Sequence, residues 1–116
     1  MYDKYLITGA TGFLGRAVVE ELVHHDAQVR ALVLHNDPYI NLLPKEVHTI
    51  VGDVCDKNSL ADFFADADSR TCVIHCAGIV SVASRPGPKL YQVNVGGTWR
   101  ILRQCLAHEV GKLIHV

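Results

Sequence analysis

A chain of 116 residues, 49% hydrophobic and 20% charged, is long enough to bury one core without metal or disulfide staples and too short for two domains. Its net charge of −1 provides no electrostatic footprint for DNA or RNA, and its apolar content argues against disorder. There is no basic leader before an apolar core and no apolar run long enough to span a bilayer, so a cytoplasmic protein with no membrane partner is expected.

From the N-terminus, residues 5–7 form a short apolar run that ends in turn residues, the pattern of a buried strand. From Phe13 the period lengthens: Phe13, Leu14, Ala17, Val18, Leu22 and Val23 recur at three and four, which predicts an amphipathic helix. Residues 28–34, QVRALVL, read as a second buried strand, and residues 35–46, with Asn36, Asp37, Pro38, Asn41 and Pro44, as a loop. Residues 47–51 read as a third strand. Asp56 then caps a predicted helix with Leu60, Phe63 and Phe64 on one face.

Residues 72–76 give a fourth strand, and Arg85-Pro86-Gly87-Pro88 punctuates a loop. A long helix is predicted over residues 89–109 with Leu90, Leu102, Cys105 and Leu106 inward, and a fifth strand begins at Leu113. Strands alternating with helices over such connections require right-handed crossovers and a parallel sheet. The predicted class is α/β: a Rossmann-like, doubly wound parallel sheet of about five strands in the order 3-2-1-4-5, formed by one domain over residues 1–116.

Cys55, Cys72, Cys76 and Cys105 include no C-x-x-C pair, and four residues of strand separate Cys72 from Cys76 by about 13 Å, too far for a bridge. Free thiols in a reducing compartment are expected. The seven histidines show no metal-ligand spacing, so no metal site is expected.

Residues 8–15, TGATGFLG, lie where the first strand turns into the first helix, and such a turn attracts phosphate through unpaired N–H groups and the helix dipole. Gly9 would permit a sharp turn, Gly12 would let a pyrophosphate approach the backbone, and Gly15 would let the helix pack on the strand. Thr8 and Thr11 offer hydroxyl donors to the same ligand. The lack of a Lys-Ser/Thr ending separates the motif from a P-loop.

Three further segments follow in order: Gly52–Asp56 (GDVCD), His75–Gly78 (HCAG) and Asn94–Thr98 (NVGGT). Together with TGATGFLG, they make the whole chain resemble the N-terminal part of the extended short-chain dehydrogenase/reductases, above all their NAD-dependent epimerase/dehydratase and dihydroflavonol-reductase-like branches. The resemblance implies that Gly9, Gly12, Phe13 and Leu14 line a pyrophosphate turn and that Asp53 accepts a hydrogen bond from the adenine amino group. It also implies that the Val54 backbone meets the ring edge and that Ala77 and Gly78 pass close to the ribose of the nicotinamide half. Asn94 is the candidate catalytic residue, as an amide that fixes a helix bend or holds a water near the active site. His75 is expected to serve local hydrogen bonding, Asp56 to cap a helix, and Thr98 and Trp99 to pack.

The expected cofactor is NAD or NADP, with a lean to NAD. Val33 and Leu34, the usual discriminating positions, carry neither an acid nor an Arg. Asp37 has the spacing of a ribose ligand but also stands where a turn before Pro38 begins.

The resemblance further implies a Tyr with a Lys four positions later, and a Ser or Thr beyond the fifth strand. Tyr2, Tyr5, Tyr39 and Tyr91 are followed at that spacing by Leu6, Gly9, Leu43 and Val95. The expectation is therefore an N-terminal fragment, cut before the catalytic helix and inactive alone. It would be the dinucleotide-binding part of an oxidoreductase acting on a small ketone or aldehyde, or of a nucleotide-sugar epimerase/dehydratase, with the loop of residues 79–89, including Ser81 and Ser84, bordering the substrate.

The alternative is a non-catalytic NAD(P)-sensing module. A methyltransferase-like Rossmann domain fits the alternation but not GDVCD with NVGGT. Leu113, Ile114 and Val116 would form an apolar edge that invites pairing with a second copy, so a homo-oligomer is a further expectation.

Overall fold

The apolar runs become five parallel strands: β1 (Lys4–Thr8), β2 (Val29–Val33), β3 (His48–Val51), β4 (Thr71–His75) and β5 (Lys112–His115). They form one sheet in the expected order β3-β2-β1-β4-β5. The structure, a computed structural model, describes residues 2–79 and 87–116. Ser81, Ser84 and the Arg85-Pro86 half of the predicted loop punctuation lie outside the described residues.

Side chains alternate between the two sheet faces, so the strands feed two cores. Leu6, Leu32 and Val73 join Leu60, Phe63, Phe64, Ile101 and Cys105 on one face. Ile7, Ala31, Val33, Cys72 and Ile74 join Val19, Leu43 and Val47 on the other. Among the described residues no helix is long and apolar enough to cross a membrane, and all four cysteines are free.

Helix α1 (Phe13–His24) forms where its period places it, but the buried stripe is rotated from the expected one. Gly15 and Val19 are buried and Val18, Leu22 and Val23 half-buried, whereas Ala17 and Leu14 are exposed and Phe13 is 96% exposed. The close approach of Gly15 to the β1 turn sets this rotation and carries Phe13 to the outside.

The predicted helix after Asp56 is instead a 3-10 turn over Lys57–Leu60 followed by tight turns. Asp56 does cap it, accepting from the Asn58 N–H at 3.1 Å, and Leu60, Phe63 and Phe64 are fully buried as the spacing implied. The departure goes with a contact distant in sequence: the Arg30 guanidinium collects the carbonyls of Phe63 and Ala65 at 2.9 and 2.8 Å. A continuing helix would use those acceptors for its own N–H groups.

The long C-terminal helix is interrupted. Helix α2 (Pro88–Tyr91) leads into a π-helical segment, Gln92–Gly97, and then α3 (Thr98–Ala107). Gly96 and Gly97 weaken the α-helical preference here, and the wider turn shifts the inward face. Ile101 and Cys105 are buried, Leu90 and Leu102 are half-buried, and Leu106, expected inward, is 68% exposed.

At the β5 edge, Leu113 is half-buried against the first core, and Ile114 and Val116 are exposed.

Candidate functional site

The turn from β1 into α1 is built by glycines that play different parts. Gly9 has φ +66°, a conformation that disfavours any Cβ. A Cβ there would also stand 2.6 Å from the Ala77 nitrogen and the Cys76 carbonyl carbon, so the turn crosses directly over the end of β4. A Cβ on Gly15 would land on the Gly9 carbonyl oxygen, which locks the first turn of α1 against β1. Gly12 is exposed, and its nearest neighbour, the Gly9 oxygen, lies 3.3 Å from where a Cβ would be.

Gly12 is the N-cap of α1, with no side-chain cap, and no acid stands in the first turn. The helix's first bond runs from the Arg16 N–H to the Gly12 carbonyl at 2.9 Å. The N–H groups of Phe13, Leu14 and Gly15 therefore have no acceptor within the helix.

These groups open beside a cleft of about 310 Å³ at the carboxyl ends of the strands. It lies where the chain order reverses between β1 and β4, the place at which open α/β sheets bind ligands. Gly9, Thr11 and Gly12 line it from the turn, Leu32, Leu34 and Asp37 from the end of β2, Gly52, Asp53 and Val54 from β3, and residues 76–79 from β4. Thus Gly9, Thr11, Gly12, Asp53, Val54, Ala77 and Gly78, singled out from the sequence, come together around one space. Phe13, Leu14 and Gly15 do not line it; their N–H groups follow directly after Gly12, which does.

Asp53 ends β3 with its backbone N–H on the Ser59 hydroxyl at 2.9 Å and one carboxylate oxygen, Oδ1, accepting from the Cys55 N–H at 2.8 Å. Its other oxygen, Oδ2, makes no hydrogen bond to the described residues. The Val54 side chain is buried beneath it, and a Cβ on Gly97 would meet Val54 Cγ2 at 2.6 Å. Gly97 thus lets the π segment close on the β3 end.

The hydroxyl of Thr11 donates to Asp37 Oδ2 at 2.7 Å, and Asp37 Oδ1 accepts from the Tyr39 N–H at 2.9 Å. Asp37 therefore starts the turn, and it also lines the cleft. Thr8 is a correction. It is fully buried, accepts from the Cys76 and Ala77 N–H groups, and shares a hydrogen bond with His75 Nδ1 at 2.6 Å, so it has no hydroxyl to offer a ligand.

His75 is buried and hydrogen-bonded on both ring nitrogens. Burial, with a smaller push from the neighbouring His115, lowers its pKa to about 4. Burial also raises the thiol of Cys76, in the cleft, and that of Cys55, beside it, where Asp53 adds to the effect, which disfavours the thiolate at both.

Asn94 lies on the π segment with its amide engaged. Oδ1 accepts from the Ile79 N–H at 2.7 Å and Nδ2 donates to the Ile79 carbonyl at 2.9 Å. Its visible role is to hold the turn at Gly78, whose own Cβ would stand 3.3 Å from Asn94 Oδ1. Thr98, expected only to pack, is part of the hydrogen-bonding around His75. Trp99 is 56% exposed with the Arg103 guanidinium 5.9 Å over its ring. Ile79 and Lys89, the two ends of the loop expected to border the substrate, also line the cleft, as do Leu32 and Val93, which had no local signal.

The donor set fits a dinucleotide. Unpaired N–H groups behind a Cβ-free Gly12 suit phosphate, the unpaired oxygen of Asp53 suits an amino group, and the small residues Ala77 and Gly78 leave room where a larger side chain would fill the cleft.

The model of the 3-beta hydroxysteroid dehydrogenase/isomerase family matches residues 6–116. Human 3 beta-hydroxysteroid dehydrogenase type 7 is 37% identical over 109 residues, covering 88% of this chain and 29% of that protein. A putative dihydroflavonol 4-reductase of Synechocystis is 33% identical over 102 residues, again covering 88% of this chain and 29% of its own length. The UDP-glucose 4-epimerase of Thermus thermophilus, solved in complex with NAD, superposes with a TM-score of 0.83 at 30% identity over 95% of this chain and 36% of that one. The chain thus spans about a third of the relatives it matches. It keeps the Rossmann-like topology of the extended short-chain dehydrogenase/reductases, and within them it belongs to the 3-beta hydroxysteroid dehydrogenase/isomerase family.

Proposed function

We propose that this chain is the nicotinamide-dinucleotide-binding part of an NAD(P)-dependent oxidoreductase acting on a secondary alcohol or the corresponding ketone. The observation that carries the reading is the uncapped α1 N-terminus, which opens through the side-chain-free Gly12 onto the cleft at the β1–β4 reversal.

The N–H groups of Phe13, Leu14 and Gly15 bind the pyrophosphate, Asp53 Oδ2 accepts from the adenine amino group, and Val54 covers the ring edge. Ala77 and Gly78 make room for the nicotinamide ribose. Asp37, oriented by Thr11, faces the adenosine ribose, where a carboxylate accepts from hydroxyls and repels a phosphate; this favours NAD over NADP. When bound, the cofactor supplies the hydride-accepting or hydride-donating carbon. Asn94 acts as a positioning residue, holding the turn that carries Gly78.

The relatives named as a hydroxysteroid dehydrogenase and a dihydroflavonol reductase support a secondary alcohol or ketone over a nucleotide sugar. None of the chain's tyrosines has a Lys four positions on, so these 116 residues are proposed to bind the cofactor without turning over substrate.

Titration with NADH and NADPH, followed by the fluorescence of the reduced nicotinamide, tests the reading. Saturable one-site binding with NADH tighter than NADPH is expected. Absence of saturable binding to either would overturn it, and a preference for NADPH would overturn the role given to Asp37.

A further inference from the structure

The residues behind the cleft form a hydrogen-bond chain whose direction follows from counting protons. A hydroxyl has one proton and two lone pairs. Thr8 Oγ1 accepts from the N–H groups of both Cys76 and Ala77, each at 3.1 Å, the Cys76 N–H being shared with the Thr8 carbonyl at 3.2 Å. Its single proton must therefore go to His75 Nδ1, 2.6 Å away.

Nδ1 is then an acceptor, and the neutral ring carries its proton on Nε2. That proton reaches Thr98 Oγ1 at 3.0 Å, and the Thr98 hydroxyl donates onward to the Asn94 carbonyl at 2.9 Å. This carbonyl lies in the π segment, whose i→i+5 pattern shifts the usual helical donors. The Asn94 side chain closes the circuit by taking both the N–H and the C=O of Ile79.

Residues 76–79, all of which line the cleft, are thereby fixed at both ends: by Thr8 at the start and by Asn94 at the finish. The link between the ends passes through one buried imidazole, against which His115 of β5 stacks with ring centroids 5.4 Å apart.

We infer that His75, held as its Nε2–H tautomer, is a positioning residue that couples Thr8 to Thr98 and so presents residues 76–79 to the cleft in one conformation. The other tautomer would put Nδ1–H against the Thr8 hydroxyl, shift the Cys76 N–H onto the Thr8 carbonyl that it already shares at 3.2 Å, and leave the buried Thr8 proton with no acceptor among the described residues. The functional consequence rests on the cofactor reading above; the circuit itself does not.

Nitrogen-15 NMR of the ligand-free protein reads the tautomer directly and needs no variant. An unprotonated Nδ1 with a protonated Nε2 is expected, and a protonated Nδ1 would overturn the inference. In the same sample the Ala77 and Ile79 amides should exchange slowly with solvent.

Thr98→Val removes the link while keeping the shape. It should speed exchange at Ala77 and Ile79 and weaken NADH binding by about tenfold, the scale of one lost hydrogen bond, with Thr98→Ser restoring both. If Thr98→Val lowers the melting temperature yet leaves the exchange at Ala77 and Ile79 unchanged, Thr98 and His75 are merely structural and the inference fails. If the wild type does not bind NADH while the tautomer and exchange results hold, the cofactor reading fails and the circuit stands. Should Thr98→Val not fold, the wild-type tautomer and Thr98→Ser still decide it.

Discussion

The two ends of the sheet each carry a hollow of about 310 Å³, yet they are chemically opposite. At the amino ends of β1 to β3, Lys4, Gln28, Val29, Arg30, Glu46 and His48 line the space. Its principal cations already have partners: Lys4 and Arg30 both reach Asp66, at 2.8 and 3.1 Å, and Arg30 also holds two carbonyls. At the carboxyl ends Gly9, Gly12, Gly52, Ala77 and Gly78 share the lining with aliphatic side chains, Asp37, Asp53 and Lys89, and the first helix N–H groups and one Asp53 carboxylate oxygen have no partner among the described residues. Volume is equal, so what separates a binding cleft from a structural hollow here is whether the polar groups are already satisfied.

The glycines sharpen that contrast most strongly. Gly15→Ala should cost at least about 3 kcal/mol, because its Cβ meets backbone rather than a side chain that can move; urea denaturation measures it, and a cost below about 1 kcal/mol would contradict the turn geometry.

Next in size is acid sensitivity at the cleft end. His75 has a folded pKa lowered from 6.5 to about 4, so between those values the unfolded chain binds the extra proton. Stability should be full above pH 6.5 and fall as the pH drops toward 4, by about 1.4 kcal/mol for each pKa unit of the difference. His75→Asn should flatten that slope in pH-dependent denaturation; an unchanged slope would assign it to other groups.

Gly12→Val probes the ligand side of the same turn. The residue has φ −75° and ψ 174°, a backbone any residue adopts, but its Cβ would stand 3.3 Å from the Gly9 oxygen and valine is a poorer N-cap than glycine, so stability should fall by about 1 kcal/mol, well short of the Gly15 cost. NADH affinity should fall by about tenfold or more as the side chain covers the α1 N-terminus. Equal loss of stability and affinity would show that Gly12, like Gly15, is needed for packing alone.

The smallest effect belongs to the opposite end. The Lys4 and Arg30 contacts lower the pKa of Asp66 from 3.8, so its contribution is present above that pH and lost as the pH falls below it. Asp66 is exposed, so Asp66→Asn should cost no more than about 1 kcal/mol and leave NADH affinity unchanged. A change in affinity would mean that the two ends of the sheet communicate.

Most of the frame was legible from the chain alone, since buried parallel strands are short apolar runs and the glycine turn announces where the first helix begins. The parallel, doubly wound sheet follows from that pattern, whereas the grouping of Asp53, Ala77 and Gly78 with Gly9 and Gly12 is implied by the family resemblance of GDVCD and HCAG. What was not legible depends on contacts distant in sequence. Arg30 of β2 turned an expected helix into turns by taking the carbonyls of Phe63 and Ala65. The π segment reset the inward face, leaving Leu106 outside. Thr8 lost its expected ligand role to His75, a partner 67 residues away. Hydrophobic period fixes which residues are buried more reliably than which polar atoms remain free, because the latter depends on partners that only the finished fold supplies.

The most direct test of the central claim is to follow backbone amide shifts while NAD is added to the protein. The account predicts saturable shifts at Phe13, Leu14, Gly15, Val54, Ala77 and Gly78, with Lys4, Arg30 and His48 unmoved. Shifts concentrated at Lys4, Arg30 and His48, or none at the α1 N-terminus, would contradict it.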